Sequence, residues 1–186
     1  MAPIMPAFDR YPKEAELIGK ILAGYGELEF GLCHCVSQAR NDFDMVLKVM
    51  FRARGETQRI QVADAMGRSQ FYSLKLGDLF SEAIADLHEC RKIRNRYAHC
   101  NWHDDLTGGL GFVELEKIAK EHKPADLTNL TIKHLNVSIL SQQADYFYYL
   151  DQCLSYLNFE AQKRQGRIQT QPLPIPKKIP RPPAYI

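Results

Sequence analysis

The residues in this chain best suited to chemistry are Arg94, Asn95 and His99, which share one six-residue window. Histidine gains and loses a proton near neutral pH, and arginine is a permanently charged fork that grips phosphate or carboxylate oxygens. Together they suit proton transfer beside a developing negative charge. The same pair also suits a helix end, where basic side chains meet the free carbonyls of the last turn. Arg94 stands eighteen positions after Leu76, five full helical turns, and so falls on the line of Leu76, Phe80, Ala83 and Leu87. A guanidinium on a core-facing line needs an acceptor or a polar pocket, because an unpaired buried charge is costly. Glu29, beside Leu28 and Leu32 on an earlier helix, is a candidate acceptor.

Helices must hold these groups in place. Pro12 suits a first helical turn, and Glu14 and Glu16 favour its positive end. From there Leu17, Ile18, Ile21, Leu22, Tyr25, Leu28, Leu32 and Val36 recur at three- and four-residue steps, giving a long helix over 12–39. Asn41 and Asp42 mark a turn or cap before a shorter helix over 44–53. Gly55 breaks it, and a third helix over 57–72 rests on the thin stripe Ile60, Ala63 and Met66. A fourth helix runs over 76–98 and carries the Arg94 motif near its end. Asp104-Asp105 and Gly108-Gly109 then mark turns, with a short strand over 110–115, so a small hairpin or loop follows the fourth helix. Pro124 and Asp126 interrupt again, and a last helix covers 137–163. The expected fold is all-α: an antiparallel bundle of four to five helices with a small loop or β-hairpin insertion. Its parts are an N-terminal arm (1–11), the bundle (12–165) and a Pro-rich basic tail (166–186), extended or disordered and outside any packed core.

Composition narrows the function classes. At 186 residues, 45% hydrophobic and 25% charged, the chain can bury a core and is not disordered throughout. No apolar run is long enough to span a membrane, and residues 1–11 lack the pattern of a signal peptide. Five cysteines without regular spacing (Cys33, Cys35, Cys90, Cys100 and Cys153) argue for reduced thiols and a cytoplasmic location. Formal charge is +2, with the basic excess gathered beyond Glu160, so the remainder is acidic and no general nucleic-acid binder. Cys33-His34-Cys35 lies on a helix, where neighbours two apart face different ways. Cys90, His99, Cys100 and His103 match no standard zinc spacing. No metal or cofactor is therefore assigned, and a metal-binding regulator built on that second group ranks last among the readings.

The stretch Arg91-Lys92-Ile93-Arg94-Asn95-Arg96-Tyr97-Ala98-His99 closely resembles the signature of the HEPN superfamily: Arg, a polar residue, a few more residues, then His at the end of a bundle helix. The first long helix, with Leu28-Glu29 near its middle, resembles the opening helix of many stand-alone members. Many members carry Gly directly after the His, whereas this chain has Cys100. The resemblance covers about 12–165. It implies a bundle that forms a homodimer, with two motifs in one cleft, and metal-independent RNA cleavage in a toxin–antitoxin, defence or stress setting. An antitoxin protein would then be a partner. In such a reaction His99 serves as general acid or base and Arg94 stabilises the phosphorane. Asn95 is placed to orient the imidazole or to bind a phosphate oxygen, and Arg91, Arg96 and Trp102 flank the motif as candidate RNA contacts. The reading from a different class is a non-catalytic dimeric scaffold or ligand-binding module.

Other features have plainer readings beside sharper ones. Trp102 and His103 suit base stacking, or packing of the insertion onto the bundle. Tyr146, Phe147, Tyr148 and Tyr149 go right round a helix, so at least one faces outward unless a partner covers it. Arg52, Arg54, Arg59 and Arg68 make a local basic stretch, suited to an RNA track or a solvated face.

Overall fold

A computed structural model describes residues 5–104, 106–120 and 130–186. The interruptions expected at Asp105, Pro124 and Asp126 lie outside the described residues. Those residues form helices α1 (Pro6–Arg10), α2 (Pro12–Arg40), α3 (Phe43–Arg52), α4 (Glu56–Ser73), α5 (Gly77–His99), α6 (Leu115–Ala119) and α7 (Val137–Arg164). They also form strands β1 (Asn101–His103), β2 (Leu110–Val113) and β3 (Lys133–Leu135). The fold is all-α with a small β insertion after α5, as the residue pattern implies. None of the described helices is long and apolar enough to cross a membrane.

The helix ends follow from local chemistry. After α2, Asn41 takes a left-handed conformation (φ 56°), with Asp42 N–H bonded to Ser37 O at 3.1 Å and Asn41 N–H to Gln38 O at 3.3 Å. This is a Schellman stop, which satisfies carbonyls the helix leaves open. Asp42 then caps α3, its Oδ1 accepting the Met45 N–H at 3.0 Å. The same device ends α4 at Lys75 (φ 57°) and α7 at Gly166 (φ 73°).

The chain divides into two compact units. One comprises Met1–Ala23, Lys92–Tyr146 and Arg181–Ile186; the other comprises Gly24–Arg91 and Phe147–Pro180. The second unit is a helical bundle built from parts of α2, α5 and α7 together with α3 and α4. Its core includes Leu32, Val36, Met50, Phe71, Phe80, Leu87 and Leu154, all within 1% of full burial. Phe71 and Phe80 stack at 4.3 Å. The stripe that seats α4 is Ile60, Ala63, Gly67 and Phe71, all buried. Gly67 stands there because a Cβ would lie 2.9 Å from Phe80 Cζ and 3.1 Å from Val36 Cγ2. Inside this unit Glu29 accepts from Arg59 at 2.8 Å.

In the first unit the insertion is a three-stranded antiparallel sheet in the order β1-β2-β3, pairing Trp102 with Phe112 and Gly111 with His134. All four β2 residues are buried. Asp104 ties the sheet to the N-terminal arm, accepting from Arg10 at 3.0 Å and from the Tyr11 hydroxyl at 3.3 Å. The arm contains α1, and β3 joins the expected hairpin as a third strand.

The tail departs from its expected independence. It carries no helix or strand beyond α7, but its end is pinned. Tyr185 meets Phe112 edge-on at 6.1 Å, and Lys133 Nζ lies 4.3 Å from the Tyr185 ring. Ile186 N–H bonds His134 O at 3.0 Å, and Gln143 Nε2 donates to Pro183 O at 2.8 Å. Proline removes donors and stiffens the backbone, yet an aromatic ring and free carbonyls are enough to dock the segment.

Candidate active site

Arg94, Asn95, Arg96 and His99 come from the final turns of α5, all in the first unit. The helix stops at His99 because the chain turns into β1, and the Cys100 thiol reaches back to Tyr97 O at 3.7 Å. Cys100 is not among the residues of positive φ, so the turn does not need glycine there. Burial pushes the Cys100 thiol up to about 12. The Tyr97 hydroxyl donates to Gln143 Oε1, and burial, first among its causes, pushes the phenol up to about 12. That buried contact fixes the helix end from inside.

The Arg94 guanidinium is half-buried and donates through Nη1 to Asn95 Oδ1 at 2.9 Å. Asn95 and His99 are four residues apart, about 40° around the helix, and so share a face. Arg94 and His99 are five apart, about 140° around, so they leave the helix on different faces, and Asn95, which accepts from Arg94, stands between them in sequence. The His99 side chain is 54% exposed, and its Nδ1 stands 3.7 Å from Glu116 Oε1 on α6. That distance is ion-pair reach rather than a hydrogen bond. A carboxylate there biases the orientation of the imidazole.

The flanking residues are placed differently. Arg96 is held on the Glu114 side, its Nε 3.5 Å from Oε1, and Nη1 donates to Ala184 O at 3.3 Å. Glu114 also accepts from Lys133. Burial raises the Glu114 carboxyl, but the Lys133 hydrogen bond and charge, with Arg96, outweigh it and leave the group below the ordinary glutamate range. Trp102 is half-buried with ring centroids 5.2 Å from Phe8, 5.7 Å from Tyr97 and 5.9 Å from Phe112. Its ring packs β1 onto the helix end. Arg91 belongs to the second unit, where it is half-buried.

Glu116 and Glu114 escaped the reading of the sequence. Their signal, two carboxylates one residue apart directly after a strand, gains meaning only when α6 comes back to the end of α5. Elsewhere Arg68 pairs with Asp64 at 2.5 Å, Arg52 and Arg54 are exposed, and Tyr148 is the outward member of its aromatic run at 64%. Among the described residues no group of three His, Cys, Asp or Glu side chains gathers in a way that would hold a metal ion. All five cysteines are free thiols. Comparison with protein-family models, with curated proteins and with solved structures gives no match.

Proposed function

We propose that the chain is an endoribonuclease of HEPN type that works without metal as a homodimer, with His99, Arg94 and Asn95 as its catalytic residues. The observation that carries this reading is the cluster at the end of α5. A guanidinium is bonded to Asn95 at 2.9 Å, and a solvent-open imidazole lies on the face of Asn95 with a carboxylate at its Nδ1. Such a set supplies the two things that 2′-hydroxyl attack requires. His99 takes the proton of the ribose 2′-OH as its oxygen bonds to phosphorus. Arg94 holds the phosphorane oxygens as their charge develops. The bond from phosphorus to the 5′ oxygen then breaks, and that oxygen takes a proton from His99 of a second copy across a two-fold axis. The products are a 2′,3′-cyclic phosphate and a 5′-hydroxyl. Glu116 is a positioning residue, engaging Nδ1 and leaving Nε2 for proton transfer.

Analysis of product ends tests the chemistry: an RNA strand should yield cyclic phosphate, and the same strand with every ribose 2′-O-methylated should stay whole. Cleavage of the methylated strand would rule out the 2′-hydroxyl route. A toxin–antitoxin, defence or stress setting, with an antitoxin partner, belongs to the same proposal. Its mark is growth arrest on expression, relieved by Arg94→Ala. The reading from another class, a non-catalytic scaffold or ligand-binding module, draws on the groove in the first unit that holds residues 183–186.

A further inference from the structure

In the first unit, residues 183–186 lie in a groove formed by the end of α5, the first turns of α7 and β3. Its deepest polar group is Gln143, which is fully buried. The Tyr97 hydroxyl donates to Gln143 Oε1, which leaves Nε2 to donate outward to Pro183 O at 2.8 Å. Beside it Arg96 Nη1 donates to Ala184 O at 3.3 Å. Strand β3 lies at one edge of the sheet, and His134 O there accepts the Ile186 N–H at 3.0 Å. Two successive carbonyls and one amide of an extended segment are thus read through its backbone, as when a peptide lies along a sheet edge.

Among these contacts stands a seat for one aromatic ring. Tyr185 meets Phe112 edge-on at 6.1 Å, with Lys133 Nζ 4.3 Å and the Arg96 guanidinium carbon 5.8 Å from its centroid. Phe112 is fully buried, and the Glu114 carboxylate holds both Lys133 and Arg96. Two anchored cations against the ring select an aromatic over an aliphatic side chain. Groove and occupant differ in burial. The side chains of the wall are buried or tied to one another, whereas none of residues 181–186 is buried, Tyr185 being 38% and Ile186 69% exposed. A buried amide and a braced pair of cations form a preorganised seat, and a segment so exposed can be exchanged for another of the same form.

We propose that this groove docks an extended, proline-bearing segment of a partner protein with an aromatic residue two positions after the proline, and that residues 183–186 fill it in the partner's absence. Proline suits the first position because it brings no N–H to satisfy and already favours the extended form, so less order is lost on docking. The resident segment competes, and lowers a partner's apparent affinity by the fraction of chains whose groove is open. None of these contacts uses Arg94, Asn95 or His99, so the groove can dock a segment whether or not the helix end cleaves RNA.

The test uses the full chain and a fluorescein-labelled peptide, Arg-Pro-Pro-Ala-Tyr-Ile with its C-terminus blocked, followed by fluorescence anisotropy. The chain carrying Tyr185→Ala, whose own segment has lost its anchor, should bind the peptide at least tenfold more tightly than the parent does. Alanine in place of the peptide's tyrosine should weaken binding at least tenfold, while phenylalanine should keep most of it. Adding Lys133→Met to the Tyr185→Ala chain should weaken binding of the tyrosine peptide severalfold, with circular dichroism confirming the fold. No binding to either chain, equal affinity for both, or an alanine peptide that binds as well as the tyrosine one would overturn the proposal. So would a parent dimer that excess peptide dissociates in sedimentation, since the groove would then belong to a second copy's tail.

Discussion

Replacing Gly67 by Ala sets two known effects against each other. A helical glycine costs about 1 kcal/mol relative to alanine, so Gly→Ala inside a helix ordinarily stabilises. At Gly67 the added methyl would lie 2.9 Å from Phe80 Cζ and 3.1 Å from Val36 Cγ2. Phe80 is fully buried and stacked on Phe71 at 4.3 Å, so its ring has little freedom to retreat. Overpacking of this kind costs about 1–3 kcal/mol, which exceeds the propensity gain and leaves a net loss of about 1 kcal/mol. Gly26 provides the control, since it sits in α2 with nothing within 4 Å of its would-be Cβ. There the propensity term acts alone, and Gly26→Ala should stabilise by about 0.5–1 kcal/mol. Urea unfolding followed by far-ultraviolet circular dichroism should separate the two variants by about 2 kcal/mol, or roughly 4–8 °C in Tm for a chain of this size. If Gly67→Ala matches or exceeds Gly26→Ala in stability, the close packing of α4 against Phe80 and Val36 is wrong.

Further substitutions probe the remaining structure. Lys75→Gly removes a side chain from a left-handed helix stop and should stabilise by about 0.5–1 kcal/mol in the same unfolding assay; a loss would contradict the Schellman geometry. Glu29→Ala takes the carboxylate from the Arg59 guanidinium, which is only 26% exposed and keeps its bond to Ala53 O at 3.3 Å, and should destabilise by about 1–3 kcal/mol. A change below about 0.5 kcal/mol would show the pair to be screened by solvent. Glu114 titrates below its ordinary value, so its contribution is present above about pH 4.3 and is lost as pH falls through the lowered folded value. Acid unfolding of the parent should therefore steepen below about pH 4, and Glu114→Gln should flatten that slope. An unchanged slope would remove the Lys133–Glu114–Arg96 cluster from the account.

The long helices were legible because their apolar residues keep a strict three- and four-residue rhythm. Leu28, Leu32 and Val36 in α2, and Phe80, Ala83 and Leu87 in α5, are buried as that rhythm requires. Helix α4 was fainter because two of the four residues it buries are Ala63 and Gly67, which carry little hydrophobic signal and serve close approach. Five-residue α1 and α6 are too short for any period to show, and β3 is a strand only because β2 pairs with it. The docked tail was hidden by its prolines, since composition describes stiffness and says nothing of where Tyr185 finds Phe112 and Lys133. At the site, spacing put Arg94, Asn95 and His99 at one helix end, but the acceptor it offered for Arg94 was Glu29, which takes Arg59 instead, while Arg94 donates to its neighbour Asn95. The carboxylate at His99 could not be read from spacing, because Glu116 lies seventeen positions away and arrives by way of the sheet.

Cleavage of a single-stranded RNA in EDTA, by the parent chain and by His99→Ala side by side, tests the central claim most directly. The parent should cut the strand, and the variant should lose at least a hundredfold in rate while keeping its helical circular dichroism and its thermal midpoint. A folded His99→Ala chain that cuts as fast as the parent, or a parent that leaves RNA intact under every buffer in which it is folded, would contradict it.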